Sequence, residues 1–188
     1  GIWDALRLET GADAAVALEY VRAHLHENNE TGTVEAHVSW GGPLPDNTEI
    51  HARLVSRDED ETLGEVSAPA DGSGGKLRIE SARVAPWWPN GEGPATRYTL
   101  QVRARDELNR VLWQTEREIG FKRVEWRPCD GAPAGAAPWQ CVVNGRPVFL
   151  QGVNWVPPRL SYPDSTREDY EALVALYRDM GCNVLRVW

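Results

Sequence analysis

From residue 15 to residue 126, apolar and polar positions alternate in short runs separated by clusters of Gly, Pro, Asn and Asp. Val34, Ala36, Val38 and Trp40 alternate with Glu35, His37 and Ser39, the period-two pattern of a strand with one face buried. Gly41-Gly42-Pro43 and Pro45-Asp46-Asn47 break that run. Ile50, Ala52 and Leu54 predict the next strand, Leu63 to Val66 a short one, and Leu77 with Ile79 another beyond the turn at Asp71 to Gly75. Tyr98, Leu100, Val102 and Ala104 alternate again, and a turn at Asp106 to Arg110 leads into a last strand from Val111 to Glu118. With Val16 to Leu25 this makes about seven strands, which predicts an antiparallel β-sandwich of immunoglobulin-like type. The stretch from Asp13 to His26 supports a strand or a helix equally, because its Ala, Leu and Glu are good helix formers.

After Trp126 the pattern changes. Pro128 to Pro138 holds three Pro, two Gly and four Ala, and reads as a linker. Asn144-Gly145 between two apolar runs predicts a two-residue hairpin. Val148 to Val153 is near-continuously apolar, as a buried parallel strand would be. Ser165-Thr166-Arg167-Glu168 has the form of a capping box, with Ser165 as the cap and Glu168 reaching back. The helix it opens carries Tyr170, Leu173, Val174, Tyr177 and Met180 at spacings of three and four, and ends at Met180-Gly181. Asn183 to Trp188 reads as a second strand. One strand–helix–strand unit leaves a sheet face and edges open, so the tail is expected to begin a larger α/β domain and the chain to be a piece of a longer protein.

Composition narrows the function classes. The 188 residues carry 20 Lys and Arg against 28 Asp and Glu, a formal net charge of −8. That balance argues against nucleic acid and against an anionic membrane as partners. No run approaches the roughly 20 apolar residues of a membrane-spanning helix, and no basic-then-apolar start suggests a signal peptide. Cys129, Cys141 and Cys182 are too few and too scattered for a disulfide framework, and Cys129 with Cys141 reads as unbridged. His24, His26, His37 and His51 show no tight ligand spacing and read as structural or surface histidines, not as metal ligands. Asp58 to Glu61 lacks the periodicity of a calcium loop and reads as a solvated turn. Nine Trp against two Phe is an unusual ratio. Indole suits cores and the flat apolar faces of sugar rings alike, so Trp87-Trp88 offers two readings, a plug at the sandwich edge and a sugar platform, of which the plug is preferred.

Particular segments resemble a known family. Trp87-Trp88-Pro89-Asn90-Gly91, Tyr98-Thr99-Leu100 and Gly120-Phe121-Lys122 are similar to the immunoglobulin-like domain of glycoside hydrolase family 2. Val143-Asn144-Gly145-Arg146-Pro147-Val148-Phe149-Leu150-Gln151-Gly152-Val153-Asn154-Trp155-Val156-Pro157 resembles the opening of that family's catalytic (β/α)8 barrel. Gly181-Cys182-Asn183-Val184-Leu185-Arg186-Val187-Trp188 resembles its second barrel strand, and Gly1 to Leu8 the last strand of its preceding jelly-roll domain. Asn154-Trp155 and Arg186-Val187-Trp188 look most like the β-mannosidase branch. Lys122 departs from the family, which more often has Arg after Gly-Phe, at a structural position.

The resemblance implies a division into residues 1–12 (end of a jelly-roll), 13–127 (sandwich), 128–140 (linker) and 141–188 (incomplete barrel). It implies a parent enzyme that cleaves terminal β-linked sugars with retention, a β-mannoside first among them and a carbohydrate its partner, without a cofactor. The sandwich would make intramolecular contacts with the jelly-roll and the barrel. Retention requires two carboxyl groups about 5–5.5 Å apart. In the family these are Glu residues at the ends of the fourth and seventh barrel strands. No residue here matches either, so none is assigned as catalytic and the chain by itself is expected to be inactive. Because barrel sites lie at the C-terminal ends of strands, Asn154, Trp155, Arg186 and Trp188 are the substrate-binding candidates. The competing reading is that Arg186 pairs with buried carboxylates inside a barrel and that Trp188 simply packs. Rivals from other classes are a stand-alone carbohydrate-binding sandwich and a structural scaffold domain. Within the enzyme class, β-galactosidase, β-glucuronidase and exo-β-glucosaminidase share the architecture.

Overall fold

A computed structural model describes residues 15–57, 61–156, 158–159 and 161–187. Seven strands build the first half: β1 (Ala15–Leu25), β2 (Thr31–Gly41), β3 (Glu49–Ser56), β4 (Thr62–Pro69), β5 (Gly74–Arg83), β6 (Tyr98–Arg105) and β7 (Val111–Ile119). They pair antiparallel in two sheets, ordered β1-β2-β5 and β4-β3-β6-β7. The chain crosses between sheets after β2, β4 and β5, so neither sheet is a simple meander. The inward faces are the alternating residues of the sequence pattern: Val34, Ala36, Val38 and Trp40 on β2, Leu100, Val102 and Ala104 on β6, with Leu54 and Leu77 between them. Each such fully buried Val or Leu contributes about 1.5–3 kcal/mol of hydrophobic stabilisation.

The ambiguous N-terminal stretch is strand β1, with Val16, Leu18, Val21 and Ala23 packed on this core. Its register shifts between Leu18 and Tyr20, a bulge that moves the inward positions from even to odd numbers. That break in the two-residue period is why helix and strand are hard to separate there. The strand foreseen at Leu63 to Val66 extends from Thr62 to Pro69. The opening residues resembling a jelly-roll strand, and most of the acidic tip at Asp58 to Glu61, lie outside the described residues.

Phe121 closes the sandwich. It is completely buried and meets Tyr98 edge-on at 5.4 Å, while the Tyr98 hydroxyl accepts the Ala85 N–H at 2.7 Å. A Cβ on Gly32 would lie 2.4 Å from the Phe121 ring, so this position of β2 is held to glycine by close approach. The Asp106 to Arg110 turn is equally specific. One carboxylate oxygen of Asp106 accepts the N–H groups of Leu108 and Arg110 at 3.0 and 2.8 Å, and the other accepts from the Arg110 guanidinium at 2.7 Å.

A second, smaller sheet was not foreseen as such. Val124–Arg127 is strand β8, which pairs antiparallel with β9 (Gln140–Val143), and β9 pairs with β10 (Arg146–Val148). Residues 128–139 therefore join two hydrogen-bonded strands. Composition alone could not show this, because the four residues Val124–Arg127 have too short a pattern to declare a strand. The hairpin at Asn144-Gly145 forms as expected, with φ of 52° and 85°, the left-handed pair that a two-residue turn of this hand requires.

Asn144 also fastens this sheet to the sandwich. It is 3% exposed; its Oδ1 accepts the Arg123 N–H at 2.9 Å, and its Nδ2 donates to the Trp87 carbonyl at 2.9 Å. Its backbone N–H donates to the Arg123 carbonyl at 2.8 Å, and its carbonyl accepts from Asn29 Nδ2 at 3.1 Å. Trp87 and Trp88 sit at the same junction, both half-buried. Lys122 lies 4.3 Å over the Trp87 ring and Arg146 4.2 Å over the Trp88 ring. Gly120 and Gly93 make room for the two indoles. The two Trp are thus a plug, set between the sandwich and the second sheet and capped by cations.

Two expectations follow from these side chains. Replacing Asn144 with Ala orphans two buried partners and puts a Cβ-bearing residue with no compensating side-chain bond at positive φ. It is expected to cost about 2–4 kcal/mol, read as a lower denaturant midpoint at unchanged slope, and Asn144→Gly should recover only part of the loss. For Asp106, burial favours the protonated carboxyl, but the backbone N–H and guanidinium of Arg110 and the N–H of Leu108 outweigh it, so its pKa is lowered. The stability this group gives is complete above the ordinary Asp value of about 3.9 and is lost as pH falls through the lowered folded value. The stability gap between the native chain and Asp106→Asn should therefore be constant near neutrality and close below pH about 4, as followed by urea unfolding across the acid range.

Candidate functional site

The last part of the chain is a parallel strand–helix–strand unit. Strand β11 (Gly152–Trp155) pairs in parallel with β12 (Val184–Val187), and helix α1 (Arg167–Asp179) lies between them in sequence. The run foreseen as one strand from Val148 to Val153 is divided. β10 stops at Val148, Phe149 is 82% exposed, and β11 starts at Gly152. The division has a local cause in Asn183. Its Nδ2 donates to the Phe149 carbonyl and its Oδ1 accepts the Gln151 N–H, both at 2.9 Å, so these backbone groups bond a side chain in place of a strand ladder. Gly152 is required beside it, because a Cβ there would stand 1.8 Å from the Val184 carbonyl oxygen.

The helix cap differs from expectation by one residue. Thr166, not Ser165, is the N-cap, accepting the Asp169 N–H at 3.3 Å while Asp169 Oδ2 accepts the Thr166 N–H at 2.9 Å. Asp169 wins over Glu168 because it is also gripped by Arg159, at 2.9 and 3.1 Å. The Arg159 guanidinium first, and the Thr166 N–H next, hold the Asp169 carboxyl below the usual range. At the other end Gly181 has φ 81°, the left-handed C′ residue the sequence suggests. No described helix is long and apolar enough to cross a membrane.

Asn154 and Arg186 come together. They are direct register partners on the two parallel strands, and Arg186 Nη1 donates to Asn154 Oδ1 at 3.2 Å. Both are exposed, and the guanidinium meets an amide oxygen, not a carboxylate. The pair thus presents several donors and an amide at the C-terminal half of two parallel strands, a set suited to hydroxyl groups. Trp155 is not brought to this pair. It packs edge-on against Tyr170 of α1, at 5.7 Å and 72°, and its indole N–H is buried without a partner among the described residues. Trp188 lies outside the described residues. Asn183, Gly152 and Asn90 were missed as positioning residues. Asn90 Nδ2 donates to the carbonyls of Arg178 and Cys182, at 2.9 and 3.1 Å, tying the loop after β5 to the end of α1. Contacts across 88 and 92 residues leave no local signal.

The histidines are used elsewhere. Both ring nitrogens of His26 are engaged, by Thr31 and Thr33 at 2.8 Å, His37 stacks on Tyr20, and His51 faces Glu65. Among the described residues no three His, Cys, Asp or Glu side chains gather as a metal site. The three cysteines are free, and burial raises the Cys141 thiol pKa.

No family model matches the chain. Among curated proteins it is similar to β-mannosidase A of Aspergillus niger, 25% identical over 179 residues, covering 86% of this chain and 19% of that protein. It is also similar to the β-mannosidase of Capra hircus, 32% identical over 116 residues, covering 60% of this chain and 13% of that one. These relatives are glycoside hydrolases. The chain spans about a fifth or less of the length of the relatives it matches. Among solved structures, the β-D-mannosidase of Dictyoglomus thermophilum superposes with a TM-score of 0.74 at 24% identity, over 95% of this chain and 22% of that one. At that identity the superposition speaks for the fold: a mainly β chain built on an antiparallel sandwich, of the type found in a glycoside hydrolase.

The close approach at Gly152 gives the test of this local architecture. Gly152→Ala is expected to part β11 from β12. Amide exchange at residues 152–155 and 184–187 should speed up while β1 to β7 keep their protection. Unchanged exchange in β11 and β12 would show that the strands tolerate the added methyl.

Proposed function

We propose that this chain is the immunoglobulin-like sandwich and the first barrel strands of a retaining family 2 glycoside hydrolase that removes terminal β-mannosides. The observation that carries the reading is the Asn154–Arg186 pair on adjacent parallel strands, in a chain similar over 86% of its length to a β-mannosidase. The division into residues 1–12, 13–127, 128–140 and 141–188 belongs to the same proposal.

In this reading the Arg186 guanidinium and the Asn154 carboxamide hydrogen-bond the hydroxyls of the sugar ring to be released, and the Trp188 indole covers its apolar face. Trp155 supports the strand from the helix side. The acid/base and nucleophile carboxylates come from later barrel strands, so this chain binds and positions without performing the displacement. The sandwich sets the jelly-roll against the barrel.

The test uses the longer protein that carries this chain, assayed against aryl β-mannoside, β-galactoside, β-glucuronide and β-glucosaminide with the anomer of the first product followed by NMR. Mannoside cleavage with retention is the expected result. Cleavage of another sugar alone would keep the enzyme class and reject the branch. No cleavage, with sugar affinity in the 188-residue chain, would favour a carbohydrate-binding module. Arg186→Ala removes charged hydrogen bonds to substrate worth about 1.5–3 kcal/mol, so kcat/KM should fall roughly ten- to hundredfold. Arg186→Lys should restore little of it, because an ammonium lacks the planar fork.

A further inference from the structure

The chain contains two Asn-Gly steps, Asn90-Gly91 and Asn144-Gly145, and they stand in opposite surroundings. Asn-Gly is the dipeptide most prone to self-modification, because glycine has no side chain to shield its backbone nitrogen. That nitrogen can attack the Asn Cγ and give up its proton to water. The side-chain nitrogen then leaves as ammonia, closing a five-membered succinimide. Water adds to either ring carbonyl and the C–N bond breaks, leaving aspartate or isoaspartate; water is the only co-reactant.

Asn144-Gly145 is guarded. Its carboxamide is buried, with Oδ1 accepting from Arg123 and Nδ2 donating to Trp87, so the Cγ cannot turn toward the following nitrogen. Asn90-Gly91 is open. Both residues are exposed, Gly91 has φ 79° in a turn closed by the Glu92 N–H to Pro89 carbonyl bond at 3.0 Å, and nothing lies within 4 Å of where its side chain would be. The only restraint on the Asn90 carboxamide among the described hydrogen bonds is its pair of donations to Arg178 and Cys182 at the end of α1.

We propose that Asn90-Gly91 is a spontaneous deamidation site, and that its conversion unlatches the sandwich from α1 and β12. The amide nitrogen now gives hydrogen bonds to two carbonyl oxygens, at 2.9 and 3.1 Å. An oxygen anion in its place gives none, and adds negative charge at the negative end of the helix dipole. Cys182 directly precedes Asn183, which holds β11 and β12 together, so the loosening runs toward the Asn154–Arg186 pair.

The test ages the 188-residue chain in mildly alkaline buffer and follows both sites by peptide mass mapping. In parallel, amide exchange is measured on an Asn90→Asp variant and on the aged acidic form separated by ion exchange. Residue 90 is expected to convert several-fold faster than residue 144. Exchange at residues 178–186 should rise several-fold in both acidic forms, with β1 to β7 unchanged. Conversion of residue 144 as fast as residue 90 would overturn the proposal. So would an amide that persists at residue 90 while a short peptide of residues 86–95 converts, and so would native exchange at 178–186 in the acidic forms.

Discussion

The carboxamide of Asn144 fastens the second sheet of this chain to its sandwich. The sandwich has its own core, and the second sheet has a small one of Cys141, Val143 and Val148 with Trp88 against it. Hydrophobic burial holds each together but does not set one against the other, because it has no direction. Direction comes from the paired donor and acceptor of a buried amide, which bonds the Arg123 N–H and the Trp87 carbonyl and admits no other partner orientation. Asn is also a residue that tolerates the left-handed φ of the hairpin. The same position therefore fixes a turn and a junction, and neither Asp nor Gly could do both.

The sandwich is legible in the sequence because its inner faces follow the two-residue period, and the residues named from that period on β2, β3, β5 and β6 are the buried ones. Where the period fails, so does the reading. The bulge at Leu18 to Tyr20 makes β1 ambiguous, and the four-residue β8 is too short to stand out beside a proline-rich run. The helix is legible from its spacing, yet its cap is misplaced by one residue, since the ion pair that selects Asp169 begins ten residues upstream at Arg159.

The candidate site is legible in part for a related reason. Asn154 and Arg186 are recognisable as polar residues in otherwise apolar strands. That they are opposite one another is a matter of register across 32 residues and a helix, which local patterns do not carry. Asn183 and Asn90, which hold those strands in place, are invisible for the same reason. Their partners are backbone carbonyls and amides, and any sequence supplies those.

The partners of Asn144 also set an order in time. They lie 21, 57 and 115 residues before it, and among the described residues none comes after. A ribosome delivers the N-terminal partners first, and domains generally condense as they emerge. The hairpin at Asn144 thus arrives to find its docking surface already built, with every long loop in that contact closed toward the chain's past.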